Sequence, residues 1–193
     1  MGVDFSLYVL KGDDQMVRIF IDPGHGGNDP GAVANGLEEK NITLDLALRL
    51  QALLEADENV ELQLSRSDDS DVGLSARAQL ANDFGADYFV SIHVNAGGGT
   101  GFESFIYTSA PTETATYQTT VHQAIMQEID VTDRGEKTAN FAVLRETIMP
   151  AILTENMFID TASDAERLTD DAFLQSVALG HARGIAEIFG LTI

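Results

Sequence analysis

The chain has 193 residues, 44% of them hydrophobic, and 31 acidic against 11 basic side chains, for a net charge of −20. That length and apolar content suit one domain with a real core, and the charge argues against nucleic-acid binding, because a duplex is itself a dense row of negative charge. There is no cysteine, which excludes disulfides, thiolate metal sites and a Cys nucleophile and leaves any metal to His and carboxylates.

No apolar run approaches the ~20 residues needed to cross a bilayer, so no membrane insertion is expected. The opening MGVDFSLYVL lacks the basic n-region and small-residue cleavage site of a secretory signal. Residues 1–15 are expected to be an N-terminal extension or leader, and residues 16–193 a single domain.

Residues 17–22 form an apolar run ending in Asp-Pro-Gly, a strand followed by a sharp turn. A long glycine-rich loop follows to residue 36, and loops of that length are often functional. From Glu38 the pattern is helical, with Ile42, Leu46, Leu50 and Leu53/Leu54 recurring every three or four residues. Residues 60–64 alternate as a strand, residues 74–84 read as a helix, and residues 88–92 are a short apolar strand typical of a sheet centre. Residues 102–107 read as a strand and 117–129 as a helix. Residues 141–144 and 151–154 read as short strands. Residues 173–189 close the chain as a helix, with Phe173, Val177, His181, Ile185 and Phe189 on one stripe. Alternating strands and helices predict an α/β fold: a single domain, with a mostly parallel twisted sheet and helices on both faces.

Ligands of open α/β sheets gather beyond the carboxyl ends of the strands. His25 follows the first strand, His93 the strand at 88–92, and Glu155 the strand at 151–154, while Glu39 opens the helix after the first loop. Each alone has a simpler explanation, a turn or a surface acid. Together, four His and Glu side chains fall at one rim. Two imidazoles and a carboxylate form a common catalytic zinc set, and a spare glutamate is a natural general base.

The same residues carry a family resemblance. IDPGHGGNDPGA at 21–32, LEEKNITLDLAL at 37–48, LSRSDD at 64–69, ADYFVSIHVNA at 86–96, DRG at 133–135 and NFAVLRETIMPAILTEN at 140–156 resemble the zinc-dependent N-acetylmuramoyl-L-alanine amidases. GGGTGFESFIY at 97–107 and LTENMFID at 153–160 look most like the CwlC-type sporulation members. The resemblance implies one Zn²⁺ per chain on His25, Glu39 and His93; Lys40-Asn41 after Glu39 match the family pattern and select it over Glu38. It places the catalytic glutamate at Glu155. It implies peptidoglycan as the substrate, cut at the amide between N-acetylmuramic acid and L-alanine by zinc-activated water with a glutamate base. It also implies action at the bacterial cell wall, extracellular or after lysis, by a sporulation autolysin or a phage endolysin. Nothing in the sequence points to a protein partner.

Asp22, Asn95 and Arg145 are candidates to orient a ligand or touch substrate. Asp22 either orients His25 or caps the turn before Pro23. Asn95 contacts substrate or bonds loop backbone. Arg145 meets a stem-peptide carboxylate or pairs with Glu146. His122 and His181 are expected to be structural, Arg66 and Arg77 to support the fold through ion pairs, and the acids Asp164, Glu166, Asp170 and Asp171 to be solvated surface.

Overall fold

A computed structural model describes residues 16–193; the expected leader at 1–15 lies outside the described residues. The chain runs β1 (Val17–Pro23), a small hairpin of β2 (Val33–Ala34) and β3 (Leu37–Glu38), α1 (Glu39–Leu54), β4 (Val60–Leu64), α2 (Leu74–Phe84), β5 (Tyr88–Asn95) and β6 (Phe102–Tyr107). It continues with α3 (Thr112–Glu128), β7 (Asp133–Ala139), α4 (Ala142–Glu146), β8 (Ala151–Phe158), α5 (Ala162–Arg167) and α6 (Asp171–Phe189). The six long strands form one sheet in the order β4-β1-β5-β8-β6-β7. The first four are mutually parallel, β6 runs antiparallel to β8, and β7 is parallel to β6.

Strand alternation divides the core in two. Ile19, Ile21, Tyr88, Val90 and Ile92 face the helices α1, α3 and α6. Phe20, Phe89 and Leu153 face the other way, onto Ala81 of α2 and Val143 and Leu144 of α4. Helices thus cover both faces, as expected. Among the described residues no helix is long and apolar enough to cross a membrane.

The structure departs from expectation where local pattern was ambiguous. The run at 141–144 is not a strand but leads into α4, a single short helix that packs Val143 and Leu144 into the second core. A short apolar stretch serves either conformation, and here the packing decides. β7 was not expected at all. Its sequence, DRGEKTA, is polar because an edge strand has one flank in solvent. The acids at 164–171 are not all solvated surface. Asp164 is buried and accepts hydrogen bonds from Thr100 Oγ1 (2.6 Å), Gly101 N (3.1 Å) and Phe158 N (3.0 Å), pinning the β5–β6 loop to the end of β8. Asp170 caps α6, accepting from the backbone N–H of Ala172 and Phe173.

His122 and His181 are held by the fold. His122 bridges Ser104 and Asp133, yet this Ser-His-Asp chain has no exposed nucleophile, because Ser104 is fully buried. His181 donates from Nδ1 to the Val177 carbonyl (2.8 Å), so its Nε2 accepts from Thr154 Oγ1 (3.0 Å). Burial pushes its imidazole down to about 4. In the unfolded chain a histidine binds a proton below ~6.5. Between that value and about 4 the unfolded state therefore holds the extra proton, and stability falls as pH falls. Urea unfolding at pH 7 and pH 5 checks this: His181 should account for a loss of ~2 kcal/mol, and a His181→Asn variant should lose correspondingly less over that interval.

Candidate metal centre

Three segments meet above the carboxyl ends of β1 and β5. His25 lies in the loop after β1, Glu39 is the first residue of α1, and His93 lies on β5. One ligand atom from each falls within 4.8 Å of the others. Glu39 sits between the imidazoles, with Oε2 3.2 Å from His25 Nε2 and Oε1 3.0 Å from His93 Nδ1. Its oxygens also accept from the backbone N–H of Ala32 (2.9 Å) and Val94 (3.0 Å). Burial alone would push this carboxyl up. The His25 and His93 imidazoles and the Ala32 N–H outweigh it and hold Glu39 well below the usual carboxylate range.

The loop that presents His25 is locked from beneath. His25 itself adopts a left-handed backbone, φ 61°, which costs energy and persists only where surroundings enforce it. Arg66 donates from Nε to the Pro23 carbonyl (3.1 Å) and from Nη2 to the Gly24 carbonyl (2.8 Å). Arg77 donates to the carbonyls of Pro23 and His25, each at 2.6 Å. Both guanidiniums are buried. Arg77 forms the expected ion pair, with Asp22 at 2.8 Å. Arg66 does not; its bonds go to backbone carbonyls and to Thr43 Oγ1. Two glycines permit the close approach. A Cβ on Gly24 would sit 2.3 Å from His93 Cε1, and one on Gly31 would sit 2.5 Å from Glu39 Oε2.

Asp22 neither orients His25 nor caps the turn. It is buried and accepts from Ser65 Oγ (2.6 Å), Ser91 Oγ (2.8 Å) and Arg77. The residue that meets His25 Nδ1 is Asp29, at 2.8 Å. Sequence reasoning missed it, although a carboxylate four residues after a histidine within the same glycine-rich loop was a usable signal. This contact places the Nδ1 proton toward Asp29 and turns Nε2 toward Glu39. Burial opposes protonation of His25, but Glu39 and Asp29 outweigh it and raise the imidazole to about 9.

Glu155 pairs with His93 across the β5–β8 ladder and with Glu103 across β8–β6. Its Oε2 is shut off from solvent and has no hydrogen-bond partner among the described residues. Burial, reinforced by the charges of Glu39 and Glu103 and opposed by His93, raises Glu155 to about 7. Asn95 contacts Glu103 through Nδ2 (2.8 Å) and the Ala96 N–H through Oδ1. Arg145 stands apart from this cluster. It pairs with Glu146 (3.0 Å) and Asn140 and shares a hollow with Pro150 and Ala151. Ala151 is four residues, ~13 Å of strand, from Glu155.

The sequence profile of the Amidase_3 family, N-acetylmuramoyl-L-alanine amidase, matches residues 19–187. The chain belongs to this family. It is 58% identical over 177 residues to the sporulation-specific N-acetylmuramoyl-L-alanine amidase of Bacillus subtilis, covering 91% of this chain and 69% of that one. It is 47% identical to the endolysin of Bacillus phage SPP1, covering 90% of this chain and 66% of the endolysin. Among solved structures, the catalytic domain of the amidase CwlV from Bacillus (Paenibacillus) polymyxa superposes with TM-score 0.88 at 35% identity, covering 92% of this chain and all of that one. The amidase CwlD of Clostridioides difficile, solved with the GerS lipoprotein, superposes with TM-score 0.84 at 25% identity, covering 90% and 98%. The amidase described here is therefore a hydrolase of the bacterial cell wall, and peptidoglycan is its substrate.

The amidase's Asp22–Arg77 pair has a direct test. Arg77→Met leaves a buried carboxylate without its cation, and unfolding in urea should show a loss of ~3–5 kcal/mol. Adding Asp22→Asn should recover part of that loss.

Proposed function

We propose that residues 16–193 form a catalytic domain that hydrolyses the amide between the lactyl group of N-acetylmuramic acid and L-alanine, using a zinc ion on His25, Glu39 and His93 and Glu155 as general base. The observation that carries this reading is the buried, unpartnered Oε2 of Glu155 on the strand next to His93. The donor chemistry fits zinc, since two imidazole nitrogens and one carboxylate leave a position open for chemistry. A zinc ion there supplies Lewis acidity, making water a stronger acid and polarising the amide carbonyl.

The protein's own groups do the rest. Asp29 holds the proton on His25 Nδ1, so Nε2 is the nitrogen offered for coordination. The N–H groups of Ala32 and Val94 hold the Glu39 carboxylate in place. Glu155, poised near neutrality, takes a proton from the attacking water. The same carboxyl then delivers that proton to the departing alanine nitrogen, so no second titrating group is required. The relatives include both a sporulation-specific amidase and a phage endolysin. Either setting, extracellular or after lysis, is consistent with this chemistry.

Digestion of purified peptidoglycan, read by mass spectrometry, tests the bond. Released stem peptides should begin with L-alanine and leave glycan strands intact. New amino termini inside the stem would identify a peptidase instead. Glu155→Gln should bind zinc normally, by elemental analysis after dialysis, while turnover falls about 10²–10⁴-fold. His93→Ala should come out of dialysis without zinc.

A further inference from the structure

Glu155 belongs to a row of ionisable side chains crossing four neighbouring strands. His93 on β5 pairs with Glu155 on β8, and Glu155 pairs with Glu103 on β6. Side chains of directly paired residues lie on one face of a sheet. Beyond Glu103, on the edge strand β7, stand Arg134 and Lys137. Glu103 is buried, and both its oxygens are engaged. Oε1 accepts from Asn95 Nδ2, while Oε2 accepts from Arg134 Nε (2.7 Å) and from Lys137 Nζ. Two cations thus meet on one acid, in a chain that has 11 bases against 31 acids.

Arg134 is built to present its outer edge. Only Nε is bound, and the guanidinium lies over the Phe158 ring, 4.7 Å from its centroid. Its two terminal nitrogens have no acceptor among the described residues, and the side chain is 33% exposed. The backbone beneath is fixed, because Asp133 Oδ1 receives both His122 Nε2 (3.0 Å) and the Gly135 N–H (2.7 Å). A planar guanidinium anchored at one nitrogen offers two parallel N–H groups, the geometry that matches a carboxylate.

We propose that Arg134, supported by Lys137 and held in place by Glu103, binds a free carboxylate of the stem peptide about two to three residues beyond the scissile amide. The proposal rests on the amidase reading above. Adjacent strands lie ~4.8 Å apart, so β7 is ~10 Å from β8, a distance an extended peptide crosses in about three residues. An acidic peptide approaching an acidic protein gains most from a cation at that point.

The test uses two synthetic muropeptides that differ only in whether the second or third stem residue carries a free or an amidated carboxylate. Wild-type enzyme should cleave both between the lactyl group and L-alanine, with kcat/KM about 10–100-fold higher for the free acid. Arg134→Gln should lose that advantage on the free acid and change little on the amide, so that the preference vanishes. Arg134→Lys should restore part of it. Absence of any preference in the wild type, or an equal loss on both substrates in Arg134→Gln, overturns this proposal while leaving the amidase reading intact. Cleavage at a different bond in both muropeptides overturns the two together.

Discussion

Glu39 is the group around which the rest is arranged. A buried carboxylate is costly unless its charge is compensated from several sides. Here compensation comes from two imidazoles and two backbone N–H groups, drawn from the first loop and from β5. The contact is reciprocal with the start of α1: the Glu39 N–H donates to the Ala32 carbonyl while its own Oε2 accepts from the Ala32 N–H. One carboxylate thereby joins the first loop, the first helix and the central strand.

The acidic balance takes on a sharper meaning in this light. The two buried arginines, Arg66 and Arg77, are committed to the carbonyls under His25. Arg134 and Lys137 are committed to the neighbourhood of Glu155 through Glu103. These four of the scarce cations therefore stand about the site, while much of the acidic excess is left to the surface, where it favours solubility. Bacterial walls are themselves commonly anionic, so bulk attraction cannot bring this protein to its substrate, and recognition has to be local.

Much of the architecture was legible because buried parallel strands are written as short apolar runs, and the residues just after them are few. His25, His93, Glu39 and Glu155 could be placed at one rim on that ground alone. What stayed hidden depended on partners distant in sequence. Asp164 reads as one surface acid among several until Thr100, Gly101 and Phe158 are brought to it. Asp22 reads as a turn residue until Arg77, 55 positions away, folds over it. β7 lacks any apolar pattern because it is an edge, and α4 carries too few residues to declare a period.

The central claim is that His25, Glu39 and His93 together hold zinc. Anomalous diffraction at the zinc edge, from crystals of the zinc-loaded protein, tests it most directly. The account predicts one strong peak lying ~2.0–2.2 Å from a nitrogen of each histidine and from a Glu39 oxygen. A peak at another set of side chains, or none at these three in protein shown to contain zinc, would contradict it.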